Sequence, residues 1–223
     1  MNQTSRICAA GVLATGLAAG QARSVDQPEE SKRILGILPN YRTTPTLDNF
    51  KPLTATEKFK VASDDALDRG TFALAGLFAG VSQLDNSNRS FGQGAAGFGR
   101  YFATAYSDLF IGNYMSEAVF PILLHQDPRY FRRGTGTGWS RLGYAVKQIF
   151  LTHDDSGRVR FNYSEIAGNS AAVAISNAYY SNSRTASDGA ANLGIQLGVD
   201  ALGNILTEFW PDLQRKFRRK SRK

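Results

Sequence analysis

Cysteine is almost missing from this chain: Cys8 is the only one, and it lies within the first 22 residues. A chain without that segment has no thiol. Disulfides, thiolate catalysis and cysteine-bound metal are then excluded. Histidine is nearly as scarce. His125 and His153 are the only two, and neither falls in a helical ligand spacing such as H-E-x-x-H. No G-x-S-x-G elbow and no G-x-x-x-x-G-K-S/T phosphate loop occurs, which excludes the familiar signatures of serine hydrolases and P-loop proteins. No run of 18 uninterrupted apolar residues follows residue 22, so a conventional membrane span is not expected. Strand-like alternation and internal repeats are missing too.

Acidic residues are absent from one place in particular. The chain carries 26 Lys and Arg against 19 Asp and Glu, a net charge of +7. The last nine residues hold seven of the basic ones and no acid: Arg215, Lys216, Arg218, Arg219, Lys220, Arg222 and Lys223. Residues 23–214 carry 18 basic and 19 acidic residues. The body is therefore near neutral and the cationic character belongs to its end. A basic overall charge gives no support here for nucleic-acid binding by the body, and nucleic acid is not an expected partner.

Residues 1–22 have the form of a signal peptide. Arg6 and the terminal amine make a short positive region, and Ile7 to Ala19 is uncharged and mostly apolar. Small residues precede a cleavage point after Ala22. Residues 23–53 then form an extended lead-in, in which the short apolar run from Leu35 to Leu38 is stopped by Pro39 and is expected to dock as a strap.

Helical signals follow. Thr54-Ala55-Thr56-Glu57 is a capping box, opening a helix expected to reach Leu84 with a break at Gly70. Lys58, Lys60, Asp64, Asp65 and Asp68 are expected to face outward. A second helix, from Gly97 to Leu124, has few charges and places Pro121 where it kinks or ends. A loop from His125 to Gly138 leads to a third helix over 139–151. A fourth is capped by Asn162-Tyr163-Ser164-Glu165, and the last opens at Thr185 to Asp188. In this last helix Ile195, Val199, Leu202, Leu206 and Phe209 mark an apolar face, with Asn192, Gln196, Asp200 and Asn204 roughly opposite. Pro211 is expected to end or bend it. The chain is thus expected to be all-α, a Gly/Ala-rich bundle of about five helices over 54–214, followed by a disordered basic tail, 215–223. Gly76/Gly80 and Gly194/Gly198 have the G-x-x-x-G spacing of close helix crossings.

Few residues suggest chemistry. Gly92-Gln93-Gly94-Ala95-Ala96-Gly97 fits G-x-G-x-x-G, but the preceding segment is a polar turn rather than a strand, so no nucleotide or other cofactor is implied. The densest polar cluster is His125-Gln126-Asp127-Pro128-Arg129-Tyr130-Phe131. His125, Asp127 and His153 have the composition of an acid–base or two-His, one-carboxylate set, whereas a purely structural role has Asp127 capping a turn at Pro128. Asp108, Glu117 and Asp200 fall in apolar surroundings and need partners, for which Arg100, Arg129, Arg141 and Lys147 are candidates. At the end of the chain Trp210 stands beside the seven cations, a composition suited to an anionic membrane or envelope surface.

The segments Leu38-Pro39-Asn40-Tyr41-Arg42-Thr43, His125 to Phe131, Asn162 to Ile166 and Glu208-Phe209-Trp210-Pro211-Asp212 resemble those of a family of bacterial envelope proteins that carry signal peptides and have no assigned activity. The resemblance implies a bacterial periplasm or cell-envelope setting and supplies no catalytic residue. Together these features lead to the expectation of an exported, membrane-associated helical protein with a binding or structural role. The alternative expectation is a periplasmic hydrolase or metal-binding protein built on His125, Asp127 and His153.

Overall fold

The computed structural model describes residues 33–34, 38–39, 43–44, 50–179 and 186–220. The signal-peptide segment, most of the lead-in, Thr185 at the expected start of the last helix, and Arg222 and Lys223 lie outside the described residues.

Helix α1 (Ala55–Ala66) opens on the expected capping box: the Thr54 hydroxyl accepts from the Glu57 amide at 3.3 Å, and the Glu57 carboxylate accepts from the Thr54 amide at 2.8 Å. The break before α2 (Arg69–Leu84) falls at Leu67-Asp68, just ahead of Gly70. Asp68 is extended there and accepts from the Gly70 amide at 2.6 Å, so a side-chain cap, rather than glycine flexibility, sets the boundary. A 3₁₀ turn (Arg89–Phe91) leads into α3 (Gly94–Tyr114). The G-x-G-x-x-G run forms this junction. Gly92 and Gly94 have positive φ of 74° and 76°, and a Cβ on Gly97 would lie 2.3 Å from the Gly92 carbonyl oxygen. The three glycines thus make a tight turn pressed against its own helix.

Beyond α3 the helix continues as a π turn (Met115–Val119) and a last α turn (Phe120–Leu123). Pro121 has no N–H to give and its ring crowds the carbonyl four residues back; the wider turn just before it accommodates both. Helix α4 (Gly138–Lys147) is capped by Thr137, α5 (Tyr163–Tyr179) opens where Asn162 accepts from the Glu165 amide, and α6 runs from Ala186 to Lys220. Pro211 does not end α6. One residue beyond the carbonyl that Pro211 leaves unserved, the Glu208 carbonyl accepts from the Arg141 guanidinium, which ties this turn to α4. The basic residues from Arg215 to Lys220 therefore continue a helix, where the sequence suggested a disordered tail.

The protein is broadly helical but not purely all-α. Its helices number six among the described residues, and short strands fill the segments expected to be loops. Strands β1 (Arg33–Ile34) and β2 (Leu38–Pro39) pair with each other. Strand β3 (Thr43–Thr44) runs parallel to β5 (Tyr130–Phe131), so part of the lead-in does dock on the body. Strands β4 (Gln126–Asp127), β6 (Leu151–Asp154) and β7 (Val159–Phe161) form an antiparallel sheet. Segments of two to four residues are too short to display a period of two.

Small residues bring the helices together. Ala62, Ala66, Ala75, Ala79, Ala118 and Ala145 are fully buried. Gly168 of α5 sits against the π turn, where an added Cβ would be 2.7 Å from the Ser116 Cα. The G-x-x-x-G pairs behave differently. A methyl group added at Gly80, Gly194 or Gly198 would meet nothing within 4 Å, so no described helix crosses there. Along α3, Phe98, Phe102, Tyr106, Phe110 and Tyr114 recur every four residues as a ladder of rings, with Phe72 of α2 stacked on Tyr106 at 4.4 Å. No helix among the described residues is long and apolar enough to cross a membrane.

Gly168→Ala is expected to lower stability by about 1–3 kcal/mol in urea unfolding, because backbone must move to admit the methyl. Gly198→Ala, in an open helical position, is expected to leave stability unchanged or raise it by up to about 1 kcal/mol.

Candidate functional site

Glu208 on α6 is completely buried and is paired with Arg141. Its carboxylate accepts from the Tyr130 hydroxyl at 2.9 Å, the Arg133 amide at 3.0 Å, the Gly134 amide at 2.8 Å and Arg141 Nε at 2.8 Å. Arg141 also reaches Asp212, and its guanidinium lies over the Phe209 ring at 4.5 Å. Burial and the neighbouring carboxylate push the Tyr130 hydroxyl well above the ordinary tyrosine range, so it stays a donor. For Arg141, burial opposes the charge, but hydrogen bonds to Glu208 and Asp212 outweigh it and hold the group above its usual value. This network locks α6 onto α4 and the 130–134 loop.

Two further ion pairs lie inside. Lys58, expected to face outward, is buried and donates to the Pro121 carbonyl at 3.1 Å and to Asp155 at 2.8 Å. Asp65 and Asp68 are buried as well. Asp127 is buried and bound by Arg129, whose Nε donates to both carboxylate oxygens at 2.9 and 3.1 Å. Arg129 also donates to the Lys51 carbonyl at 2.7 Å and sits over the Phe50 and Phe131 rings. Of the partners expected for the buried acids, Arg129 and Arg141 are thus taken by Asp127 and Glu208, and Arg100 donates to the Phe91 carbonyl.

The expected set of His125, Asp127 and His153 is only partly brought together. Asp127 and His153 are register partners on β4 and β6. His153 is buried against Phe131, with ring centroids 4.6 Å apart, and its Nδ1 has no hydrogen-bond partner among the described residues. Burial lowers its pKa, with Asp127 and Asp154 opposing. His125 is 84% exposed, at a positive φ of 52°, with Nδ1 3.7 Å from Asp155. The Asp127 carboxylate is aimed at Arg129, as the structural role at Pro128 requires. Among the described residues no three His, Cys, Asp or Glu side chains are grouped to hold a metal ion.

A cleft of about 420 Å³ lies elsewhere, between α2, α3, α5 and α6. Phe78 and Val81 enter from α2, Asp108, Leu109 and Asn113 from α3, Asn169 and Val173 from α5, and Asn192, Gln196, Val199 and Asp200 from α6. Ser116 and Asp200 also border a small polar cavity of about 30 Å³ beneath it, with Asp127, Thr152, Ser164 and Asn204. The polar row of α6 therefore faces inward. On the expected core stripe, Ile195 and Leu202 are instead more than 60% exposed, while Ile195 and Val199 border the cleft beside the polar row.

At the far end of α6 the expected surface anchor is also rearranged. Trp210 is buried, and the apolar groups exposed beside Arg215 and Lys216 are Leu213 and Phe217. Arg218, Arg219 and Lys220 lie on the same helix.

No known protein family, curated protein or solved structure matches the chain.

Glu208→Ala is expected to cost about 3–5 kcal/mol in urea unfolding, since it leaves Arg141 buried without its main partner. Asp212→Ala, at a half-exposed position, is expected to cost about 1 kcal/mol or less. Because His153 has a lowered pKa when folded, the unfolded chain takes up its proton first. Stability contributed by neutral His153 is complete above about pH 6.5 and declines as the pH falls from there toward the folded value. His153→Phe is expected to flatten that acid slope in unfolding curves.

Proposed function

We propose that this is an exported, membrane-associated helical protein of the bacterial envelope, with a binding role centred on the cleft between α2, α3, α5 and α6. The observation that carries this reading is the cleft face of α6. Its polar row lines the cleft together with Ile195 and Val199, and Ile195 and Leu202 are left largely exposed. Exposed Phe72, Leu77, Val81 and Leu84 on α2 add apolar surface that a soluble bundle ordinarily covers. The cleft falls in the size range of small-molecule sites and mixes apolar walls with converging polar groups. The helical end of α6 supports the membrane part: cations from Arg215 onward flank exposed Leu213 and Phe217. Apolar insertion and attraction to an anionic leaflet reinforce each other in such a segment. The signal-peptide pattern of residues 1–22 and the resemblance to bacterial envelope proteins support a setting outside the cytoplasm.

Vesicle flotation and cell fractionation test the reading together. The exported chain is expected to float with vesicles rich in anionic lipid and much less with zwitterionic ones. Removal of residues 215–223 is expected to weaken that association about tenfold or more. Phe217→Ala is expected to weaken it by a smaller factor. Recovery from cells in the cytoplasm with Met1 retained, or equal solubility with both kinds of vesicle, would overturn the proposal.

A further inference from the structure

Resting on the membrane-associated reading, we infer that the outer face of α4 and the β6–β7 hairpin is a second lipid-docking surface, which meets an anionic bilayer at the level of its headgroups. On α4 the buried Arg141 and Ala145 face the bundle. Trp139, Val146 and, in the turn that follows, Phe150 lie on the opposite side and are exposed, Trp139 by 84%. The Phe150 carbonyl accepts from the Asn162 amide at 2.9 Å. That bond brings the stripe up to exposed Phe161 and Tyr163, whose rings are 4.9 Å apart. Aromatic groups left in water on neighbouring elements make a surface that a soluble bundle ordinarily covers.

Charge identifies the occupant. The near neutrality of residues 23–214 conceals a division. Residues 130–163 carry six basic residues and two acidic ones, a net of +4, and the remainder carries 12 and 17, a net of −5. Arg133, Lys147, Arg158 and Arg160 are exposed in the basic segment. Both of its acids are paired: Asp155 with Lys58, and Asp154 with Arg158 and Arg160 at 3.1 and 3.3 Å. Each of these two arginines uses only Nε on Asp154, and their Nη groups have no hydrogen-bond partner among the described residues. One carboxylate thus holds two guanidinium forks together, with donors remaining for the oxygens of a lipid phosphate. Trp and Tyr favour the headgroup level of a bilayer, and cations beside them attract an anionic leaflet. Arg141 also reaches Asp212, which sets α4 beside the part of α6 that exposes Leu213 and Phe217.

The test uses the emission of Trp139. The chain has two tryptophans, and the other, Trp210, is buried. The exported chain is titrated with phosphatidylglycerol vesicles, plain or with brominated acyl chains. The emission is expected to move to shorter wavelength and to be quenched by the brominated lipid, and Trp139→Phe is expected to lose that quenching. Removal of residues 215–223 is expected to raise the amount of lipid needed and to leave the quenching at saturation unchanged. Arg158→Gln with Arg160→Gln is expected to weaken vesicle binding about tenfold, with the helical circular dichroism intact. Flotation with no change in Trp139 emission, quenching that survives Trp139→Phe, or full affinity in the double arginine variant would overturn this surface and leave the end of α6 as the membrane contact. An emission change produced by single-stranded DNA and not by vesicles would overturn the choice of lipid. Failure to associate with phosphatidylglycerol vesicles at all would instead overturn the membrane-associated reading itself.

Discussion

The buried carboxylate of Glu208 sets the rotation of the longest helix. A fully buried charge is tolerated only where donors surround it, and here they come from Tyr130, the amides of Arg133 and Gly134, and Arg141. These donors are fixed in turn by β5 and by α4. The carboxylate has one orientation that satisfies them, and α6 has one rotational phase that delivers it. Asn204, Asp200, Gln196 and Asn192 precede Glu208 at successive intervals of four residues, each step turning about 40° around the helix, so the row winds progressively away from the Glu208 side and its position is fixed by the rotation of the whole helix. The polar lining of the cleft is thus positioned by an ion pair well outside it.

The opposite wall depends on a different constraint, the absence of side chains. Gly168 lets α5 approach the π turn to backbone contact, and Ser116 in that turn borders the cleft. Buried alanines let α1 and α2 each pack closely against α3 in the same manner. Close crossings of this kind gain dispersion contacts between backbones and do not need a broad apolar core. Large apolar groups are left for the outside, where the ring ladder of α3 and the outward residues of α2 and α6 are found. Pro121 belongs to the same arrangement, since the wide turn it accompanies is the surface on which Gly168 rests.

Local signals in the sequence were enough for the helical character, the capping box at Thr54 and the cap at Asn162, because each involves residues within one turn. The polar row on α6 was also visible, and its composition was correct; what periodicity could not say was which face points inward. A stripe of Ile195, Val199 and Leu202 ordinarily means core, and here Ile195 and Leu202 are largely exposed while the polar row shares the cleft with Ile195 and Val199. The remaining differences have long-range causes. Lys58 is buried because Asp155 and the Pro121 carbonyl await it, and both are distant in sequence. Trp210 is buried because α6 continues through Pro211 instead of releasing the chain. The strands owe their existence to partners, since segments of two to four residues have no pattern of their own.

The continuous helix that links Glu208 to the cleft makes α6 sensitive to its length in a way its composition is not. Each inserted or deleted residue turns everything upstream by about 100° relative to the anchored end. One such change between Asp200 and Glu208 would carry the carboxamides and the acid out to the surface and swing the outward aliphatics toward the interior. Side chains along this stretch are therefore freer to vary than the number of residues that separates them.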